Sequence, residues 1–324
     1  TRMTLPAPFK ERTQKLLGNE FQLFEKALED VPPTSIRVND KMEYAPSNER
    51  VAWCEKGFYL SERPLFTADP FLHAGVYYVQ EASSMFLYQA VKQHFPDAQT
   101  VLDLCAAPGG KSTLLSQALP ESSLLVSNEI IRSRAYILAE NLIKWGNPNV
   151  VVSNNEAKDF DALPGYFDAI VIDAPCSGEG MFRKDPVAVE EWSPENVEIC
   201  WQRQRRIIAD IWPCLKPGGI LIYSTCTYNS KEDEENVCWI QQEFGAELLP
   251  LEVRNEWNIT GNLLDGEDES QGSLSVCHFL PHKTKGEGFF LAALRKPDAE
   301  DEPAAYSFSK AKASKKKDKK GGAA

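Results

Sequence analysis

Thr100-Val-Leu-Asp-Leu-Cys-Ala-Ala-Pro-Gly-Gly-Lys111 is the stretch on which the fold turns. Val101–Leu104 is a short, nearly continuous apolar run, the pattern of a parallel strand covered on both faces. Small residues and two glycines then make a tight turn, and Ser112–Leu119 has helical spacing. The same alternation repeats downstream. Leu124–Asn128, Val150–Ser153, Ala169–Asp173 and Ile220–Ser224 read as further strands, and Gly288–Leu294 as the last. Between them Arg132–Trp145 and Glu195–Cys214 read as helices, the latter with Ser193 as N-cap and Pro194 at its first position. Ser230, with Asp233 three residues on, is expected to start another helix reaching Phe244. Strands alternating with helices predict an α/β fold with a doubly wound sheet.

Residues 1–95 read as an N-terminal α+β module and connector, 96–296 as the doubly wound domain, and 297–324 as a tail, acidic and then lysine-rich, expected to be disordered. In the first part, Pro6–Leu17 and Glu20–Leu28 have helical spacing, and Ser35–Asn39, Val51–Cys54 and Val76–Gln80 are strand-like. A helix is expected from Ser83 or Ser84 to Phe95, capped by one of those serines. Residues 255–275 are rich in Gly, Asp and Glu and read as a surface loop.

The formal charge is −12, but seven lysines and one aspartate lie in 309–324, so residues 1–308 hold 28 basic and 46 acidic groups, a balance of −18. Bulk charge therefore does not drive nucleic-acid binding, although a local basic groove could. Arg37, Arg183, Lys184, Arg203 and Arg206 are candidate phosphate contacts. None of the eight cysteines forms a C-x-x-C pair and the four histidines lack H-x-x-H spacing, so no metal site is expected. With no signal peptide and no membrane-length apolar run, the sequence reads as a cytoplasmic protein with free thiols.

Two of those thiols follow predicted strands: Cys176 in Asp173-Ala-Pro-Cys-Ser-Gly178, and Cys226 in Tyr223-Ser-Thr-Cys-Thr227. In an open α/β sheet the ligand crevice lies outside the strand C-termini, so the two should share one pocket. Residues Cys105–Lys111 offer a backbone that can approach a ligand closely at a helix N-terminus, and Glu129 ends the second strand where an acid can hold ribose hydroxyls. A nucleoside cofactor is expected. Glu156, after the third strand, could accept from an adenine amino group, as could Asn154 or Asn155.

Asp103-Leu-Cys-Ala-Ala-Pro-Gly-Gly-Lys-Ser112, Asn128-Glu129, Asp173-Ala-Pro-Cys-Ser-Gly-Glu-Gly180 and Ser224-Thr-Cys-Thr227 together closely resemble the S-adenosylmethionine-dependent RNA cytosine-5 methyltransferases of the Sun/Nop family. The extension to Met181-Phe-Arg-Lys-Asp-Pro186 is similar to the bacterial ribosomal RNA branch. Arg37-Val-Asn39, Gln80-Glu-Ala-Ser-Ser84, Pro281-His282 and Gly288-Phe-Phe290 carry the likeness over most of residues 35–296. The resemblance implies a Rossmann-like methyltransferase sheet behind a small N-terminal RNA-binding module. It further implies that Cys105, Ala106, Ala107, Pro108, Gly109, Gly110, Lys111 and Glu129 bind S-adenosylmethionine, and that Asp173 lies where cofactor and base meet. Cys226 would be the nucleophile and Cys176 would assist release. Where the family usually has Asp, this chain has Glu156, one methylene longer, so the adenine contact is re-aimed or passed to a neighbour. Relatives in this branch often carry a further C-terminal RNA-binding domain, and the chain ends before one. The expected partner is RNA, ribosomal by resemblance, and the expected state is a monomer.

Other readings are a transfer RNA cytosine-5 methyltransferase, a non-catalytic RNA-binding assembly factor on the same scaffold, and a DNA cytosine-5 methyltransferase that would use Cys176 as nucleophile. The last leaves Ser224-Thr-Cys-Thr227 without a purpose. An amino-methyltransferase would need no cysteine and an Asn/Asp-Pro-Pro-aromatic turn, where this chain has Asp173-Ala-Pro-Cys176.

Overall fold

The computed structural model describes residues 3–267 and 271–298. Helices α1 (Ala7–Leu17) and α2 (Phe21–Ala27) lead into a three-stranded antiparallel sheet of β1 (Thr34–Val38), β2 (Gly57–Leu60) and β3 (Tyr77–Val79), in the order β2-β1-β3 with the short helix α3 (Pro70–His73) before β3. Helix α4 (Leu87–His94) follows. Then come β4 (Thr100–Asp103), α5 (Gly110–Ala118), β5 (Leu124–Asn128), α6 (Arg132–Trp145), β6 (Val150–Ser153) and β7 (Phe167–Asp173). Helices α7 (Pro186–Glu191) and α8 (Pro194–Ile211), strand β8 (Leu215–Thr225) and helix α9 (Glu234–Phe244) complete the crossovers. Short strands β9 (Glu247–Leu249), β10 (Leu251–Glu252), β11 (Ser273–Leu274) and β12 (Cys277–Phe279) precede β13 (Phe289–Arg295).

The large sheet runs β12-β13-β8-β7-β4-β5-β6, with β9 also paired to β13. Strands β4 to β8 are mutually parallel, and β13 is antiparallel to β8. The chain winds outward from β4 through β5 and β6, then returns to β7 on its other side. The strand order therefore reverses between β4 and β7, the position where such sheets bind ligands. Alternate side chains supply two cores. Val101, Ala169, Val171, Ile220 and Ile222 pack with Leu87, Val91, Leu114 and Leu115 of α4 and α5. Leu102, Ile170, Ile172, Leu221 and Tyr223 pack with Ile208 and Ile211 of α8 and Val237 and Ile240 of α9. Burial on both faces explains the unbroken apolar runs. No described helix is long and apolar enough to cross a membrane.

Several expectations need correction. Val51–Cys54 is a turn following an isolated bridge between Arg50 and Phe58. The helix expected from Ser83 begins as a 3-10 segment, Ser83–Phe86, and its free N–H groups at Ser83 and Ser84 are taken by the Glu81 carboxylate at 2.7 and 3.0 Å, with no serine cap. Helix α9 starts at Glu234, the Glu232 and Asp233 side chains being taken by Ser177 and by Thr225 at the end of β8. Residues 255–275 are not wholly a surface loop: Leu274 pairs with Leu251, Thr260 bridges His278, and Ile259 and Leu274 are buried. The expected disordered tail lies outside the described residues beyond Asp298.

Arg37 is not a surface phosphate contact. It is 1% exposed, and its guanidinium donates to Gln80 Oε1 (2.8 Å), Gln117 Oε1 (2.6 Å), the Gly110 carbonyl (2.9 Å) and the Thr113 hydroxyl. Burial lowers it to about 10, which leaves it charged at neutral pH. It lies 4.9 Å from the Trp145 ring centroid. One buried cation thus clamps β1 to the first turn of α5. Replacing Arg37 by Met should cost about 2–4 kcal/mol, since several buried acceptors lose their donor at once. Arg37→Lys should recover only part of this, because one ammonium cannot reproduce the fork. Urea unfolding checks this, and a midpoint unchanged in Arg37→Met would refute the clamp.

Candidate active site

The C-terminal ends of β4, β5, β7 and β8 carry the residues singled out by sequence. Asp173 is the last residue of β7, Cys226 follows β8 directly, and Cys176 stands three residues beyond Asp173. Their sulfurs are 3.2 Å apart, a hydrogen-bond contact and well beyond the ~2.05 Å of a disulfide. Both are free thiols. The contact with Cys226, and then burial, push the Cys176 thiol well above the ordinary cysteine range, so Cys176 holds its proton beside its partner.

Asp173 accepts from Lys111 Nζ at 2.8 Å through one oxygen and from the Ser224 hydroxyl at 3.0 Å through the other. Burial acts to lower the Lys111 ammonium, but Asp173, helped by Asp103 and Cys226, more than offsets this and raises it. Lys111 is therefore a fixed positive charge. Behind it, Asp103 is fully buried and accepts from the Ser112 hydroxyl at 2.7 Å. Burial drives that carboxyl up to about 7.

Cys105–Lys111 is held from three sides. Ala106 N–H donates to the Asn128 carbonyl at 2.8 Å, Arg134 to the Ala107 carbonyl at 3.0 Å, and Asn141 to the Pro108 carbonyl at 2.8 Å. Gly109, at φ 126°, takes a backbone conformation that favours glycine. Burial raises the Cys105 thiol above its ordinary range, which suits a neutral packing role. Glu129 follows β5 and is 3% exposed. One of its oxygens accepts from Ile131 N–H at 2.9 Å, and the other lies 3.5 Å from Arg134. Glu156 is exposed, and its carboxylate caps the 3-10 turn Ala157–Ala162 in a reciprocal box with Asp159. Asn154 donates to the Glu129 carbonyl at 2.7 Å.

What aligns the two cysteine loops is a carboxylate that sequence reasoning missed. Glu232 is fully buried and accepts from Ser177 N–H (2.9 Å), the Ser177 hydroxyl (2.5 Å), Gln204 (2.9 Å) and the Asn229 amide. Ser177 and Thr227, the residues after each cysteine, also share a hydroxyl contact of 2.9 Å. Glu179, buried as well, accepts from Arg12 (2.5 Å), Trp192 (3.0 Å), Tyr228 N–H (3.1 Å) and Asn229 (3.2 Å), tying α1 to the same loops. Gly180 lets them close. Its N–H donates to the Cys226 carbonyl at 2.7 Å, and a Cβ there would stand 2.6 Å from that oxygen and 2.7 Å from the Gly288 carbonyl. Glu179 lies within a motif quoted above, but Glu232 sits in the acidic run 232–235, whose obvious reading is a solvated helix start.

Beside this site, a groove of about 1040 Å³ runs between β1–β3 and residues 281–287, with Arg63, Lys184, Lys283 and Lys285 among its lining. Arg183 lines it too but is committed to the Gly286 carbonyl (2.7 Å) and Glu287 (3.2 Å). Arg203 and Arg206 are exposed on α8.

A family profile described as 16S rRNA methyltransferase RsmB/F matches residues 92–295, and another, the N-terminal domain of 16S rRNA methyltransferase RsmF, matches residues 5–82. Ribosomal RNA small subunit methyltransferase F of Pectobacterium atrosepticum is 34% identical over 314 residues, covering 91% of this chain and 63% of its own length. Its namesake in Escherichia coli is 37% identical over 257 residues, covering 77% and 52%. The chain thus spans 52–63% of the length of these relatives. Among solved structures, a methyltransferase homolog protein from Pyrococcus horikoshii superposes with TM-score 0.74 at 29% identity, covering 89% of this chain and 94% of that one. NSun6 from the same organism shares the fold, with TM-score 0.75 at 21% identity, covering 90% and 98%. With the profile spanning more than half of its residues and the paired-thiol site inside the match, the chain belongs to the RsmB/F family of 16S rRNA methyltransferases.

Proposed function

We propose that this chain transfers a methyl group from S-adenosylmethionine to carbon 5 of a cytosine in ribosomal RNA, through a covalent adduct on Cys226. The observation that carries this reading is the pair of sulfurs 3.2 Å apart beside Asp173 at the point where the strand order reverses.

The residues present fit the cofactor. The Cys105–Lys111 turn lies at the N-terminus of α5, the buried Glu129 carboxylate ends the neighbouring strand, and both flank the switch point. Glu129 would hold the ribose hydroxyls, and backbone groups of Cys105, Ala106, Ala107, Pro108, Gly109 and Gly110 would line the rest. Glu156 would reach an adenine amino group only by sharing the carboxylate that now caps residues 157–162. When bound, S-adenosylmethionine supplies an electrophilic methyl group.

Carbon 5 of cytosine is a poor nucleophile, so the chain's task is to make it electron-rich. The Cys226 sulfur adds to carbon 6 as its proton passes to N3 of the ring, a C–S bond forms, and the ring's electron pair moves to carbon 5, which becomes nucleophilic toward the methyl group. Asp173, oriented by Lys111 and Ser224, accepts a hydrogen bond from the N3–H so formed and stabilises the adduct. To act as base, Cys176 must first pass its own proton to water. Cys176, or a water it positions, takes the carbon 5 proton, the C–S bond breaks, and Cys226 leaves as thiolate. The net products are methylated base, demethylated cofactor and one proton.

A base must leave its stack to reach two part-buried thiols, which favours loop or single-stranded RNA. The groove that sets Arg63 and Lys184 beside Asp30 and Glu62 is the candidate path for the backbone.

Glu129→Ala should weaken S-adenosylmethionine binding by about 1–3 kcal/mol in calorimetry through lost hydrogen bonds. Unchanged affinity in the folded variant would remove Glu129 from the site. The reaction itself is tested with small-subunit ribosomal RNA and both cysteine variants. Cys226→Ala should give no methylation and no covalent complex. Cys176→Ala should attack and methylate but release slowly, accumulating a protein–RNA complex stable to denaturing electrophoresis. A complex trapped by Cys226→Ala instead would reverse the roles, and one trapped by neither would refute the covalent route.

A further inference from the structure

Asp233, Glu234 and His278 meet behind the Cys226 loop, in a place the proposed reaction does not use. All three are buried, and one potential ligand atom from each lies within 4.8 Å of the others. Asp233 accepts from the Thr225 hydroxyl through Oδ1 at 2.5 Å, but its Oδ2 has no hydrogen-bond partner among the described residues. The same holds for Glu234 Oε1 and His278 Nδ1. Buried polar atoms are rarely left so, and the Asp233 and His278 atoms, 4.0 Å apart, call for a shared partner. His278 Nε2 contacts Glu234 Oε2 at 2.9 Å. When that nitrogen carries the hydrogen, Nδ1 presents its lone pair toward Asp233 Oδ2, 4.0 Å away. An imidazole oriented by a carboxylate through its other nitrogen is the arrangement that metal-binding histidines use. A gap of 4.0 Å admits one cation with bonds of about 2.0–2.2 Å to each side.

Charge points the same way. Among the described residues no lysine or arginine pairs with Asp233 or Glu234, both of which are buried.

We propose that Asp233 Oδ2 and His278 Nδ1, with Glu234 orienting the imidazole through Nε2, form a site for a divalent transition-metal cation of the manganese-to-zinc class, mixed oxygen and imidazole ligands being suited to it. Its place gives it a consequence: Asp233 holds the side chain of Thr225, the residue before Cys226, and His278 lies on β12, across from Phe290 of β13. A bound ion would fasten the nucleophile's loop to the antiparallel edge of the sheet. Sequence spacing gave no sign of it, because 44 positions separate Glu234 from His278.

Zinc would also be taken by the thiol pair, so the first probe is Mn²⁺, titrated into the chelator-stripped full chain and followed by calorimetry and electron paramagnetic resonance. Zn²⁺ is then titrated into the Cys176→Ser/Cys226→Ser chain. The expected result is one ion per chain with a raised melting temperature, and affinity at least tenfold weaker in Asp233→Asn and in His278→Gln. Asp233→Asn keeps an oxygen for the Thr225 hydroxyl, so its fold, checked by circular dichroism, should persist. No saturable binding of either ion, or binding unchanged by both substitutions, overturns the proposal.

Discussion

Glu232 is a carboxylate without solvent, and four donors from three different segments converge on it. Burial raises it, with Glu179 adding to the effect, while the Ser177 and Asn229 hydrogen bonds oppose this. A group so placed is tolerable only when its lone pairs are filled, and each donor left out would cost about 1–3 kcal/mol. That requirement fixes Ser177 and Asn229 relative to one another, and with them the cysteine one residue before Ser177 and the one three residues before Asn229. The sulfur contact of 3.2 Å is the result. Neither loop has regular structure to hold it, so the shared carboxylate substitutes for a strand or helix.

The second constraint is steric. Gly180 and Gly288 allow backbone segments to stack behind Cys226, and a Cβ on Gly288 would fall within 2.4 Å of the Tyr228 ring. Tyr228 packs edge-on against Phe24 of α2 at 4.9 Å, and Phe9 of α1 meets Phe182 at 5.0 Å. The N-terminal helices are therefore part of the wall of the site, joined to it by the Arg12–Glu179 pair as well as by apolar contact. On the opposite side Arg37 performs the same service for the turn at Gly110. Both flanks depend on an arginine that reaches buried acceptors, Arg12 on Glu179 and Arg37 on Gln80 and Gly110.

The parallel sheet was legible because Val101–Leu104, Ala169–Asp173 and Ile220–Ser224 are apolar on both faces and alternate with helical stretches. The thiols, Asp173, Lys111 and Glu129 were legible because strand ends mark the crevice. Short strands β9 to β12 were not, since two or three residues carry no period. Arg37 looked like a phosphate ligand because local sequence cannot show that four acceptors await it 43 to 80 positions away. Glu232 failed for the same reason: a run of acids reads as solvated until Ser177, Gln204 and Asn229 are brought to it.

Which sulfur attacks the ring decides between the two assignments of the cysteines. Ribosomal RNA carrying 5-fluorocytosine, whose carbon 5 cannot lose a proton after methylation, would freeze the adduct on the wild-type chain. Mass spectrometry of the nuclease- and protease-digested complex should find the nucleotide on the peptide containing Cys226, with Cys176 unmodified. A nucleotide bonded to Cys176 would contradict the account.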